Sequence, residues 1–141
     1  MLAMAGGAPL AAAALAGRAD FLNQVADQLA NRHMDALALA ALCQRAEPVE
    51  VVTALYRWCY DMLSCRLCGR VRYHAGRSAA VDALAAQCSP RLIAGYLRRL
   101  ARARALAEHP LNPRLFVEDL LFAYVAMLDG QTAWLAGDYP H

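Results

Sequence analysis

The chain has 141 residues, 60% of them hydrophobic, and its 14 basic residues are all arginine against 12 acidic ones, a formal net charge of +2. That length holds one core without a metal or disulfide staple, and the absence of lysine excludes P-loop phosphate binding and Schiff-base or PLP chemistry, which need its amine. So small a net charge gives no reason by itself to expect a nucleic-acid partner.

Met1 to Ala16 is apolar and alanine-rich. A secretory signal would begin with a basic n-region, whereas the first charge here is Arg18, and Gly6-Gly7-Ala8-Pro9 interrupts the run. Nowhere are there the ~20 uninterrupted apolar residues of a membrane span. Pro9 suits a first helical position and opens a short helix that is expected to end at Gly17. A second helix is predicted from about Asp20 to Arg32, with Phe21, Val25 and Leu29 on one face, and a third from about Asp35 to Arg45, with Leu39 and Leu42 as its core stripe. Pro48 opens a fourth, which runs to Cys68 and stops at Gly69.

The helical pattern then lapses. Val71-Arg72-Tyr73 reads as extended and His74-Ala75-Gly76-Arg77 as a loop. A short helix is predicted from Ala79 to Gln87. Ser89-Pro90 is an N-cap/N1 pair opening a helix to about Glu108, and Asn112-Pro113 is a second pair opening one to Leu128, ended by Asp129-Gly130. One further turn is placed around Trp134. No segment alternates with period two. The fold class is therefore all-α, a compact bundle of about five to seven helices.

Little of this points to catalysis. Cys65-Arg66-Leu67-Cys68 is a CxxC, but both thiols fall in the last turn of an apolar helix, and no second close ligand pair completes a zinc site. Five cysteines, an odd number scattered through apolar stretches, read as reduced thiols of a cytoplasmic protein. His33, His74, His109 and His141 sit at helix ends, in the loop or at the terminus. No serine or cysteine has the context of a nucleophile, and no cofactor is implied; the chain is expected not to be an enzyme.

Helix faces are more informative. In the fourth helix Val51, Val52, Leu55, Trp58, Cys59, Met62 and Leu63 form the apolar face, with Arg57 and Asp61 expected to pair at i,i+4 on the polar one. In the helix opened by Pro90, Leu92, Ile93, Tyr96, Leu97, Leu100 and Ala103 face inward, while Arg91, Arg98 and Arg102 line the opposite side. Without interleaved aromatics that stripe reads as a solvated face or a protein-partner rim rather than a phosphate track. Arg104 falls within the apolar face, so it either snorkels at the helix end or meets a carboxylate, Asp119 or Glu118. The last long helix is apolar on nearly every side. Phe116, Leu120, Tyr124 and Met127 should point into the bundle, leaving Leu115, Phe122 and Val125 for a partner, unless the helix is central to its own bundle.

Several runs resemble the C-terminal part of the delta-prime subunit of bacterial DNA polymerase III: His109-Pro110-Leu111-Asn112-Pro113-Arg114-Leu115-Phe116-Val117-Glu118-Asp119-Leu120-Leu121, Ser89-Pro90-Arg91-Leu92 through Arg98-Arg99-Leu100-Ala101-Arg102-Ala103-Arg104, Leu55-Tyr56-Arg57-Trp58-Cys59-Tyr60-Asp61-Met62-Leu63, and Arg70-Val71-Arg72-Tyr73. Ala5-Gly6-Gly7-Ala8-Pro9-Leu10-Ala11-Ala12-Ala13 is similar to a turn and helix late in that family's lid domain. The resemblance implies residues 1–18 as the end of an AAA+ lid and 19–141 as a helical collar domain, the ATPase-like module lying before Met1. It also implies a non-hydrolysing subunit that supports sliding-clamp loading in DNA replication, with the motor gamma/tau and delta subunits as hetero-oligomeric partners, no membrane, and little or no direct nucleic-acid binding. The alternatives left open by the residues are a secreted or cytosolic helical interaction domain unrelated to replication, and a small helical nucleic-acid-binding domain.

Overall fold

The computed structural model describes residues 8–136, so Gly6, Gly7 and the tail with His141 lie outside the described residues. Among these residues seven α-helices follow one another: α1 (Ala8–Ala30), α2 (Ala36–Cys43), α3 (Pro48–Cys68), α4 (Ser78–Ala86), α5 (Pro90–Leu106), α6 (Pro113–Leu128) and α7 (Ala133–Ala136), with a 3-10 turn at Ala75–Arg77. Among the described residues there is no strand, and no helix is long and apolar enough to cross a membrane.

Local chemistry sets the helix ends. Asp35 accepts hydrogen bonds from the N–H groups of Leu37 and Ala38 at 3.0 and 3.2 Å, Ser89 from Arg91 at 3.2 Å, and Asn112 from Leu115 at 3.1 Å. Each satisfies donors that a first helical turn leaves without partners. Proline at N1 of α3, α5 and α6 gives up no hydrogen bond there. Gly69 ends α3 in the left-handed conformation, φ 74°, its N–H closing on the Cys65 carbonyl, a geometry glycine adopts without a Cβ clash.

The core forms around α3. Trp58, Cys59 and Met62 are wholly buried, and α3 packs on α5 and α4 and also touches α1 and α6, while α2 lies along α6. A buried relay of polar groups ties three helices: the Trp58 indole N–H donates to the Tyr124 hydroxyl at 2.9 Å, and that hydroxyl donates to the Leu29 carbonyl at 2.9 Å. Burial holds the Tyr124 pKa well above its usual value, keeping the hydroxyl protonated as a donor.

Three expectations change. Gly17 does not stop a helix: α1 continues through it, because an exposed glycine without a cap residue or proline costs only about 1 kcal/mol relative to alanine. The run at 71–73, read as extended, instead bends at Arg72 and Tyr73 within a loop. Asp61 does not sit on the polar face paired with Arg57. Its carboxylate is wholly buried and accepts the N–H groups of Arg72 at 2.8 Å, Tyr73 at 3.0 Å and His74 at 2.7 Å, with His74 Nδ1 at 3.0 Å. A loop folded over α3 needs its amides satisfied, and Asp61 is the acceptor beneath it.

The short α7 seats on α5 at Gly95, where an added Cβ would stand 2.3 Å from Leu135 Cδ2. Replacing Gly95 by alanine should therefore displace Leu135 and loosen α7, while the helical preference for alanine, about 1 kcal/mol, offsets the loss in overall stability. Hydrogen exchange should quicken at Trp134 and Leu135 with Tm nearly unchanged; unchanged exchange there would show that α7 does not depend on this contact.

Candidate protein-docking surfaces

The α6 helix is buried on one side and bare on the other. Leu120, Tyr124 and Met127 are fully enclosed, as expected of the inward face, and Val117 and Leu121, which the pattern left unassigned, are buried beside them. Phe116 is only half-buried, since it lies at the border of that arc. On the opposite side Leu115 is 60% and Phe122 51% exposed. Seven residues apart, they fall on one stripe of the helix two turns from each other. Leu111, just before the helix, is fully exposed. Val125 stands at the stripe's edge and is half-buried against the core. The side shared with Glu118 and Asp119 is thus an apolar stripe rimmed by charge, for Arg114 holds Glu118 at 2.8 Å across one turn.

The buried cation beside α6 is not Arg104. Arg99, 8% exposed, donates to Asp119 at 2.7 Å and to the Trp134 carbonyl at 3.1 Å, linking α5, α6 and α7. Arg104 instead lies in the last turn of α5, where the chain opens to solvent, and reaches Glu108 at 3.5 Å with both side chains half-exposed or more. Glu118 pairs with Arg114 and Asp119 with Arg99, so neither meets Arg104. The sequence pattern missed Arg99 because a guanidinium on an amphipathic helix reads as solvated until a neighbouring carboxylate is placed against it.

Arg91, Arg98 and Arg102 are exposed along α5, as expected. Arg98 and Arg102 line a cavity of about 180 Å³ with Gly95, Arg99, Trp134 and Leu135, which places them beside α7 and not on the apolar stripe of α6. The structure therefore groups Leu115 with Phe122, sets Val125 at their edge, and keeps Arg98 and Arg102 apart.

A second surface was not foreseen. Tyr56, Tyr60 and Leu67 of α3 are exposed, and Tyr73 from the loop meets the Tyr60 ring edge-on, centroids 5.8 Å apart. The guanidinium of Arg57 lies 5.3 Å and that of Arg72 5.2 Å from the Tyr73 ring centroid, within cation–π range. Asp61 fixes the loop that carries Arg72 and Tyr73, so this arrangement is held from beneath.

Cys65 donates to Asp82 at 3.5 Å, and its thiol pKa is raised, by burial first and then by that bond, the opposite of the lowered pKa of a reactive CxxC. Burial also raises Cys59 well above its usual value and Cys43 to about 11. Among the described residues no three metal-ligating side chains come together. A cleft of about 320 Å³ between α1 and α3 is lined mostly by aliphatic groups such as Leu22, Val25 and Leu29. Glu50, its one carboxylate, is paired with Arg18.

The sequence model of one family, described as DNA polymerase III, delta subunit, C terminal, matches residues 12–125. No curated protein and no solved structure matches the chain.

Proposed function

The chain belongs to the family formed by the C-terminal domains of DNA polymerase III delta subunits, and from that membership we propose that it is a non-catalytic assembly domain whose α6 stripe packs against a neighbouring member of the clamp loader. The observation that carries this reading is the exposure of Leu115 and Phe122 on a helix whose other face is closed in the core. An aromatic and a leucine on one stripe, flanked by charged residues, have the make-up of an interface centre with a polar rim. Arg91, Arg98 and Arg102 are proposed as a separate contact on α5, apart from the stripe, and Val125 as the border of the stripe itself.

Within the family the finer assignment we propose is delta-prime, supported by the ordered motifs from Leu55 to Leu121. Its partners would then be the motor gamma/tau and delta subunits, its role support of sliding-clamp loading in replication, and its location the cytoplasm. Residues 1–18 are proposed as the end of a lid domain and 19–141 as the collar. Residues 12–20 of α1 are all exposed, which suits a segment whose packing partner is another body.

Replacing Phe122 by aspartate tests the surface. Affinity for the loader subunits should fall by about a hundredfold, the scale of a central aromatic anchor, while circular dichroism and Tm stay those of the parent chain. Loss of folding together with assembly would reject the stripe as a docking surface. Reconstitution of the chain with gamma/tau and either delta or delta-prime separates the finer assignments: a delta-prime chain completes the assembly with delta and not with delta-prime.

A further inference from the structure

The outer face of α3 has a pattern that the α6 reading does not use. Tyr56, Tyr60, Leu63 and Leu67 follow one another at spacings of four, three and four residues, the a/d seam of a left-handed coiled coil. Tyr56 is 40%, Tyr60 36% and Leu67 67% exposed, with Leu63 half-buried between them. The seam is about 16 Å long at 1.5 Å per residue, three turns of helix. Arg57 and Arg66 occupy the flanking positions at which coiled coils place interhelical charges. Tyr73, fixed by the Asp61 hydrogen bonds, adds a wall beside Tyr60.

The charge along this stretch of the chain is one-sided. Between Glu50 and Asp82 the chain carries Arg57, Arg66, Arg70, Arg72 and Arg77 but a single carboxylate, Asp61. Asp61 is buried and occupied by the loop amides, and Arg77 is paired with Asp27. Glu50 is taken by Arg18, and Asp82 accepts from Cys65, half a helical turn around from the seam. Arg57, Arg66, Arg70 and Arg72 are therefore exposed and have no ion-pair partner among the described residues.

We infer that this face of α3 is a second docking site, distinct from the α6 stripe, and that it receives an acidic amphipathic helix of a partner protein. The leucines and tyrosines of the seam would pack against the partner's apolar a/d positions, and the four arginines would meet glutamates or aspartates on its flanks. An apolar seam favours a helix over single-stranded nucleic acid, because Leu63 and Leu67 make up half of it and offer no ring for a base to stack on. The arginines select the sign of the partner's charge. The inference rests on α3 and its loop alone, so it stands or falls separately from the assembly role of α6.

The test uses the whole chain and fluorescently labelled helical peptides of three to four turns. One peptide carries leucine at the a and d positions with glutamate on both flanks; a second carries lysine in place of the glutamates; labelled oligothymidylate is the third probe. The acidic peptide should bind, and Leu67→Asp or Tyr60→Ala should each weaken it by about tenfold or more. A double Arg57→Gln, Arg66→Gln variant should weaken it and flatten its salt dependence, whereas Phe122→Asp should leave it unchanged. The lysine peptide should not bind. Failure of the acidic peptide to bind, equal binding of both peptides, or indifference to Leu67→Asp would overturn the inference. So would oligothymidylate binding that the Tyr60 and Arg57/Arg66 variants abolish, which would make the face a nucleic-acid site. Because Leu67 is exposed, its aspartate variant should keep the parent circular dichroism, so lost binding reports on the surface.

Discussion

Asp61→Asn should destabilise the protein by about 3 kcal/mol, a drop of roughly 10 °C in Tm for a chain of this size. The carboxylate has two oxygens and only acceptors, and it takes hydrogen bonds from three backbone N–H groups, with His74 Nδ1 beside it. Asparagine keeps one acceptor and turns an NH₂ toward those donors, so amides beneath the loop lose their partner and face another donor. Hydrogen bonds to a charged acceptor are each worth about 1.5–3 kcal/mol, and water reaching the exposed side of the loop recovers part of the loss. The effect should be local as well as global. Hydrogen exchange at Arg72, Tyr73 and His74 should rise more than at Leu100 or Leu120, and the acidic-peptide site on α3 should weaken because Tyr73 and Arg72 are no longer held. A variant with parent-like Tm and parent-like exchange in the loop would show that Asp61 does not organise it.

Tyr124→Phe should be nearly as costly, about 2–4 kcal/mol by urea denaturation. The change removes one oxygen, but that oxygen accepts from Trp58 and donates to Leu29 in a site with no exposure. Both partners would be left buried and unsatisfied, at about 1–3 kcal/mol each. Phenylalanine preserves the packing volume, so the loss measures the polar relay and not a cavity. The comparison is Tyr56→Phe, whose hydroxyl sits on an exposed residue, where no measurable change is expected. Tyr124→Phe within about 0.5 kcal/mol of the parent would mean that the three helices are joined by packing alone.

Much of the architecture was legible because its causes are local. The N-cap pairs Ser89-Pro90 and Asn112-Pro113 place the starts of α5 and α6, and Gly69 places the end of α3. The inward faces of α3 and α5 follow the helical period through Trp58, Met62, Ile93 and Leu100. Where the local signal was weak it misled. Gly17 carries a propensity cost too small to end α1, and of the two readings left open for Arg104 the structure takes the one at the solvent-exposed helix end and not the pairing with Asp119 or Glu118.

The candidate site divides in the same way. That Leu115 and Phe122 share one stripe follows from seven-residue spacing, but that the opposite face is the closed one required α2 and α5 to be laid against α6. Arg99 and Asp61 could not be assigned from the chain, since each is defined by a partner twenty or eleven to thirteen residues away. The α3 seam needed both levels. Its 4-3-4 spacing was present in the letters, yet only the fold shows that Tyr56, Tyr60 and Leu67 are exposed and that Tyr73 walls the seam.

The sequence by itself determined that the chain is helical, where its long helices begin and end, and which stripes are apolar, because capping, proline geometry and the 3.6-residue period act within a few residues. Only the tertiary structure decided which apolar stripes are spent in the core, which arginine is buried, and that one aspartate holds a loop over α3. Burial and charge pairing are properties of what lies opposite a side chain, and what lies opposite is chosen by the packing of the whole bundle.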